Sequence, residues 1–83
     1  MQADRQPGDR YIAPGTRVCI PWKDEDGKPA TEFGIMVHCW FDPQLGVHDC
    51  YFASFGDALP TGDPGERPAI MRYTAGSFNV IED

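Results

Sequence analysis

Histidine and cysteine side chains cluster in the middle of the chain, at His38, Cys39, His48 and Cys50. Imidazole nitrogen and thiolate sulfur are usual ligands of zinc, so these residues could form a metal site. Their spacing opposes one, because the neighbours His38 and Cys39 would point to opposite faces of a strand and there is no Cys-x₂-Cys pair. Three ligands on one face are still geometrically feasible. We nevertheless expect ordinary strand residues, with neither a metal nor another cofactor.

The same segment offers two pairings of a nucleophile with a base. Cys50 could be activated by His38, and Ser54 by His48 with Asp49, since such catalysis needs only short contacts between the groups. His48 and Asp49 are adjacent, however, and would project to opposite faces of a strand. A chain of 83 residues also leaves little room for a substrate cleft. We therefore predict no catalytic residues and a protein that is not an enzyme.

The three cysteines, Cys19, Cys39 and Cys50, are an odd number and favour reduced, buried thiols over a disulfide framework. No apolar run reaches eighteen residues, and the first ten residues are polar. The sequence thus predicts neither a membrane span nor a secretory signal. A cytoplasmic location is the corresponding expectation.

The chain is acidic, with a formal net charge of −6. This charge disfavours direct binding to nucleic acid or to an anionic membrane, and it would attract a basic partner. The sequence contains neither a basic patch interleaved with aromatic residues nor a glycine-rich phosphate-binding loop. Ordinary solubilising charge is the alternative interpretation of the acidic residues.

The elements that would position these residues are short strands. Residues 33–56 hold two apolar runs separated by turn residues at 42–46, which predicts a central hairpin. Residues 1–10 read as a flexible lead-in and residues 11–83 as a single domain. We predict strands over residues 16–22, 32–41, 47–55, 69–74 and 78–81, with polar or Pro- and Gly-rich connectors between them.

The register of the central hairpin decides which side chains are buried. If His38 lies opposite Cys50, the face bearing Ile35, Val37, Tyr51 and Phe55 is the more apolar one. The opposite face, which includes Met36, Trp40 and Phe52, is then mixed. The predicted core is Val18, Ile20, Ile35, Val37, Tyr51, Ala53, Ile70, Phe78, Val80 and Ile81.

The strand pattern resembles the SH3-like barrel superfold. The matching segments are PGTRV at the first strand, EFGIMV at the second, DCYFASFG at the third, and AIMRYTAGSFNVIE as a fourth strand, a helical turn and a fifth strand. The resemblance implies an all-β fold: a small five-stranded barrel with at most one short helical turn before the last strand. The long connector before the fourth strand departs from this pattern.

Acidic and aromatic residues at the predicted loop edges suggest a protein-binding surface, since aromatic side chains anchor interfaces and carboxylates steer basic partners. We expect a small acidic inhibitor, such as an immunity protein or antitoxin, that occludes a basic protein partner. An SH3- or Tudor-like peptide-recognition module and an acidic nucleic-acid mimic that blocks a DNA-binding protein are the alternatives. The predicted contact residues are Trp22, Asp24, Glu25, Asp26, Trp40, Phe41, Asp42 and Tyr73.

Overall fold

The computed structural model describes residues 8–81. They form one antiparallel sheet in the order β4-β3-β2-β1-β5. The all-β prediction is confirmed, including the single 3-10 turn before the last strand. The elements are β1 (Arg17–Lys23), β2 (Pro29–Asp42), β3 (Val47–Gly56), β4 (Ala69–Thr74), the 3-10 turn (Ala75–Ser77) and β5 (Asn79–Val80).

Aspartate carboxylates and a glycine stabilise the tight turns of the two hairpins. Between β1 and β2, the Asp24 carboxylate accepts hydrogen bonds from the backbone N–H groups of Asp26 and Lys28, both at 2.9 Å. Between β2 and β3, Asp42 accepts one from the N–H of Gln44 at 2.9 Å. Gly46 follows at a φ of +76°, a conformation that side chains with a Cβ rarely adopt. Both hairpins are therefore specified locally.

The register of the central hairpin changes at a β-bulge. Met36 lies opposite Phe52, as the predicted pairing requires, but His38 lies opposite Tyr51 and not opposite Cys50. Val37 is the extra residue between the two registers. A bulge shifts the alternation of every later side chain on its strand, so the predicted register is wrong from residue 38 onward.

The core lies on the face of the sheet that carries Met36 and Phe52. Gly34 makes this packing close, because a Cβ there would lie 2.3 Å from the Ala53 carbonyl oxygen and 2.6 Å from the Phe52 ring. The 3-10 turn and Ile12 pack over this face of the sheet. The buried cluster consists of Ile12, Val18, Met36, Cys39, Cys50, Phe52, Ala75 and Phe78.

Four residues of the predicted core are exposed instead. Val37 is 45% exposed at the bulge, and Tyr51 is 39% exposed on the opposite face of the sheet. Ile70 and Val80 lie on β4 and β5, the two strands at the edges of the sheet, and are also exposed. Val18 and Phe78 are fully buried as predicted. The choice of the core face of the hairpin was therefore wrong, because the mixed face is the one that packs inward.

The segment that ends the predicted lead-in contacts the sheet and the 3-10 turn before β5. Arg10 donates to the carbonyl oxygens of Ala75 and Phe78, both at 2.9 Å. The backbone N–H of Ile12 donates to the Cys39 sulfur at 3.5 Å, and the Ile12 side chain is buried. The earlier lead-in residues 1–7 lie outside the described part of the chain. No helix within residues 8–81 is long and apolar enough to cross a membrane.

Candidate functional site

The outer face of the sheet, opposite the core, carries three cross-strand rows of side chains. Residues directly opposite each other in antiparallel strands project to the same face, so the register places each row on one surface. We call this surface the aromatic face. Its rows, written across β2, β3 and β4, are Ile35–Ala53–Ile70, His38–Tyr51–Arg72 and Trp40–Asp49–Thr74.

Three ring systems pack against one another along β2 and β3 on this face. The His38 and Trp40 rings are stacked with centroids 5.2 Å apart, and the Trp40 and Tyr51 centroids are 5.3 Å apart. The bulge at Val37 makes this contact possible. Without the bulge, His38 and Trp40 would project with Phe52 into the core. One extra residue thus places the aromatic side chains of β2 on the outer surface.

A single guanidinium group joins the rings to a buried acid. Arg72 places its guanidinium carbon 5.7 Å from the Trp40 ring centroid and 5.9 Å from that of Tyr51. Its Nε and Nη2 donate to the same Asp49 oxygen, Oδ2, at 2.8 and 2.6 Å. The other Asp49 oxygen accepts the backbone N–H of Cys50 at 3.0 Å. These bonds hold Arg72 in one orientation over the aromatic rings.

The charge of Asp49 is stabilised in this position although its side chain is only 4% exposed. The hydrogen bond from Arg72 lowers the pKa of Asp49, and this effect outweighs burial, which acts in the opposite direction. The pair is therefore ionised at neutral pH. It holds the Arg72 guanidinium at the surface, with its positive charge balanced by the Asp49 carboxylate.

The residues considered for metal binding or catalysis separate in the fold. Cys39 and Cys50 face each other inside the core, and burial raises the pKa of Cys50 to about 12, with the Cys39 hydrogen bond adding to it. His48 Nδ1 contacts Asp9 at 3.0 Å. Ser54 donates to Glu32. Among residues 8–81, no three His, Cys, Asp or Glu side chains are grouped to hold a metal ion.

The predicted contact residues lie in several places. Trp40 is on the aromatic face, and Asp42 follows it two residues later at the end of β2. Phe41 projects to the other side and packs edge-to-face with the His48 ring, with the ring centroids 5.4 Å apart. Tyr73 packs against the core rings of Phe52 and Phe78. The structure therefore does not bring these aromatic residues together on one surface.

The acidic loop and Trp22 form a second region at the tip of the β1–β2 hairpin. Asp24 uses its carboxylate within its own turn, whereas Glu25 and Asp26 are exposed. Trp22 is 49% exposed and lines a pocket there to which Tyr73 does not contribute. The pocket that Trp22 lines is therefore not the groove shared with Tyr73 that the peptide-recognition alternative requires.

Sequence reasoning missed three residues of the aromatic face: Tyr51, Arg72 and Asp49. Tyr51 was assigned to the core through the predicted register. A signal for the other two did exist, because Asp49 and Arg72 are opposite charges within apolar strands, where unpaired charges are costly. No protein-family model matches the chain, and neither a curated protein nor a solved structure matches it significantly.

Proposed function

We propose that this chain is a small protein-binding module that uses the aromatic face as its contact surface. The observation that carries the proposal is the mutual contact of Trp40, Tyr51 and Arg72 on one exposed sheet face. Tryptophan, tyrosine and arginine are the residue types most enriched among those that dominate binding energy at protein interfaces. All three belong to adjacent strands, so the backbone fixes their spacing.

Preorganisation adds to this proposal. A long arginine side chain normally loses rotamer freedom when it is ordered at an interface, which weakens binding. Arg72 is already held by Asp49 and by the two rings. Its remaining N–H groups can therefore meet carbonyl or carboxylate oxygens of a partner at low entropic cost.

The shape and surroundings of the face favour a folded protein as the partner. Ile70, 60% exposed in the row with Ile35 and Ala53, extends the apolar area beside the aromatic rings. A broad, twisted sheet surface suits another protein surface, whereas small ligands usually bind in concave pockets.

The negative net charge of the molecule favours a basic protein as the partner. Within the protein-binding class, we propose an inhibitor of the immunity-protein or antitoxin kind that covers the working surface of a basic protein. The net charge of −6 supports this choice, since it would accelerate encounter with a positively charged protein. Glu25 and Asp26, whose side chains are not used by the turn, are the loop acids best placed to contribute.

A cytoplasmic setting is part of the proposal. Cys19, Cys39 and Cys50 are free thiols, which persist in a reducing compartment. The two buried ones form part of the core. A basic protein made in the same compartment, such as a nucleic-acid-cleaving toxin, is the class of partner that would need such an inhibitor.

The proposal is tested by isolating the partner with the tagged protein and measuring affinities of single variants. Tyr51→Ala and Arg72→Ala should each weaken binding by about tenfold or more, the effect typical of interface anchors. Leu45→Ala is the control, because Leu45 is also exposed, at 54%, but lies in the β2–β3 turn. Unchanged affinity for both face variants, or an equal loss for Leu45→Ala, would refute the proposed surface. Thermal melting of each variant confirms that it is folded.

A further inference from the structure

A pocket of about 440 Å³ lies at the tip of the β1–β2 hairpin, away from the aromatic face. We propose that this pocket binds an arginine side chain of the partner protein. The inference rests on the proposed function for the identity of the partner, but the chemistry of the ligand follows from the pocket itself. The residues that matter for the argument are Trp22, Ala30, Glu32, Gly56 and Asp57.

Strand geometry creates the pocket. Trp22 lies opposite Ala30 in the β1–β2 pair, and Glu32 follows two residues later on the same face. The small Ala30 side chain leaves open the space beside the large indole. Gly56, at a φ of +84°, turns the chain away at the end of β3 and places Asp57 at the rim. The result is a recess with an aromatic wall at the end of the core face.

Two carboxylates give this recess a negative charge. Glu32 accepts a hydrogen bond from the Ser54 hydroxyl through Oε2, which orients its carboxylate. Its second oxygen, Oε1, has no hydrogen-bond partner within residues 8–81. Across that same described part of the chain, neither Glu32 nor Asp57 forms an ion pair with Lys or Arg. A positively charged group is the ligand that this pair of carboxylates would stabilise.

The planar shape of guanidinium fits the pocket better than a compact ammonium does. Guanidinium stacks on an indole ring through a cation–π contact and donates paired hydrogen bonds to carboxylates. Trp22 supplies the ring, while Glu32 and Asp57 supply the acceptors. Ala30, on the same face as the indole, adds apolar surface for the methylene groups of the arginine side chain. An ammonium group is more strongly hydrated and has no flat face to stack.

The test uses isolated compounds, so it does not require the partner. We expect N-acetyl-arginine amide, titrated into ¹⁵N-labelled protein, to shift the Trp22 indole N–H saturably, with a dissociation constant on the order of millimolar, as for a fragment-sized ligand. Asp57→Asn should weaken this binding about threefold to fivefold, the loss expected for one exposed charge. Asp63→Asn is the matched control and should bind normally, because Asp63 lies in the connector before β4 and does not line the pocket.

The neutral isostere N-acetyl-citrulline amide and N-acetyl-lysine amide complete the experiment. Both should bind at least about threefold more weakly than the arginine compound, since one lacks the charge and the other the planar fork. No saturable shift, or equal binding of either comparison compound, would overturn the inference. Trp40→Ala should leave these titrations unchanged. If the arginine compound does not bind but Tyr51→Ala weakens partner binding, only the arginine pocket is refuted. If the arginine compound binds as expected but Tyr51→Ala leaves partner binding unchanged, only the aromatic face is refuted.

Discussion

The burial of Val37 and Phe52 is the reverse of what alternation along their strands predicts. Strict alternation put Val37 in the core and Phe52 on the other face, whereas Phe52 is fully buried and Val37 is exposed at the bulge. A bulge depends on the packing of side chains from distant strands, so alternation alone could not predict it. These two residues therefore test the assignment of the core face most simply.

Truncation of these two side chains should have very different effects. Phe52→Ala should lower the free energy of unfolding by about 3–5 kcal/mol, because it leaves a cavity beneath Gly34 and beside Phe78. Val37→Ala should change it by about 0.5 kcal/mol or less, as is usual at exposed positions. Urea denaturation measures both. The opposite order of effects would return Val37 to the core.

The residues of the aromatic face were only partly predictable. Trp40 was expected at a binding surface because large aromatic side chains often anchor interfaces, and the residue type can be read directly from the sequence. Its partners depend on the β3–β4 register, which places Arg72 opposite Tyr51 across strands separated by a long connector. Contacts at that separation in the sequence leave no local pattern. Only the paired opposite charges of Asp49 and Arg72 gave a usable hint.

At the scale of elements, the segment before β1 is fastened to the sheet by contacts that the sequence did not suggest. The backbone N–H of His48 donates to Asp9 Oδ1 at 2.7 Å, and the His48 ring contacts Oδ2 at 3.0 Å. Arg10 and Ile12 hold the same segment against the 3-10 turn and the core. Polar composition predicted a flexible lead-in up to residue 10. The partners of Asp9 and Arg10 lie between 39 and 68 residues away in the sequence.

The Asp9 contacts should make the attachment of this segment depend on pH. The hydrogen bonds from His48 lower the pKa of Asp9 below its usual 3.8. A lowered carboxyl pKa contributes stability that is present above the unfolded-state pKa and is lost as the pH falls through the folded-state pKa. The contribution should therefore be complete at pH 7 and decline below about pH 3.8.

Urea midpoints of the wild type and Asp9→Asn, measured between pH 7 and pH 3, test this expectation. The wild type should be the more stable protein at pH 7, and the difference should shrink below pH 3.8 as Asp9 becomes protonated. Comparison with the variant removes the contribution of Asp49, whose pKa is also lowered and whose titration both proteins share. A difference that stays constant over the whole range would show that Asp9 carries no such linkage.

At the scale of the whole molecule, residues 8–81 form a sheet with one covered face and one open face. The 3-10 turn and the segment around residue 12 pack over the face with Met36 and Phe52, and the aromatic face lies on the other side of the same three strands. The positions of the strands and turns along the chain and the all-β class could be predicted, because glycine, proline and aspartate mark the turns locally. Which face would be covered could not be predicted, since both contain aromatic and aliphatic residues.

The most direct test of the aromatic face as the binding surface is site-specific photo-crosslinking in living cells. A photoreactive phenylalanine derivative in place of Tyr51 should form a covalent adduct with one basic protein, because this position lies at the centre of the face. The same derivative in place of Leu45, in the β2–β3 turn, should form little of that adduct. Adducts that form from position 45 and not from position 51 would contradict the central claim.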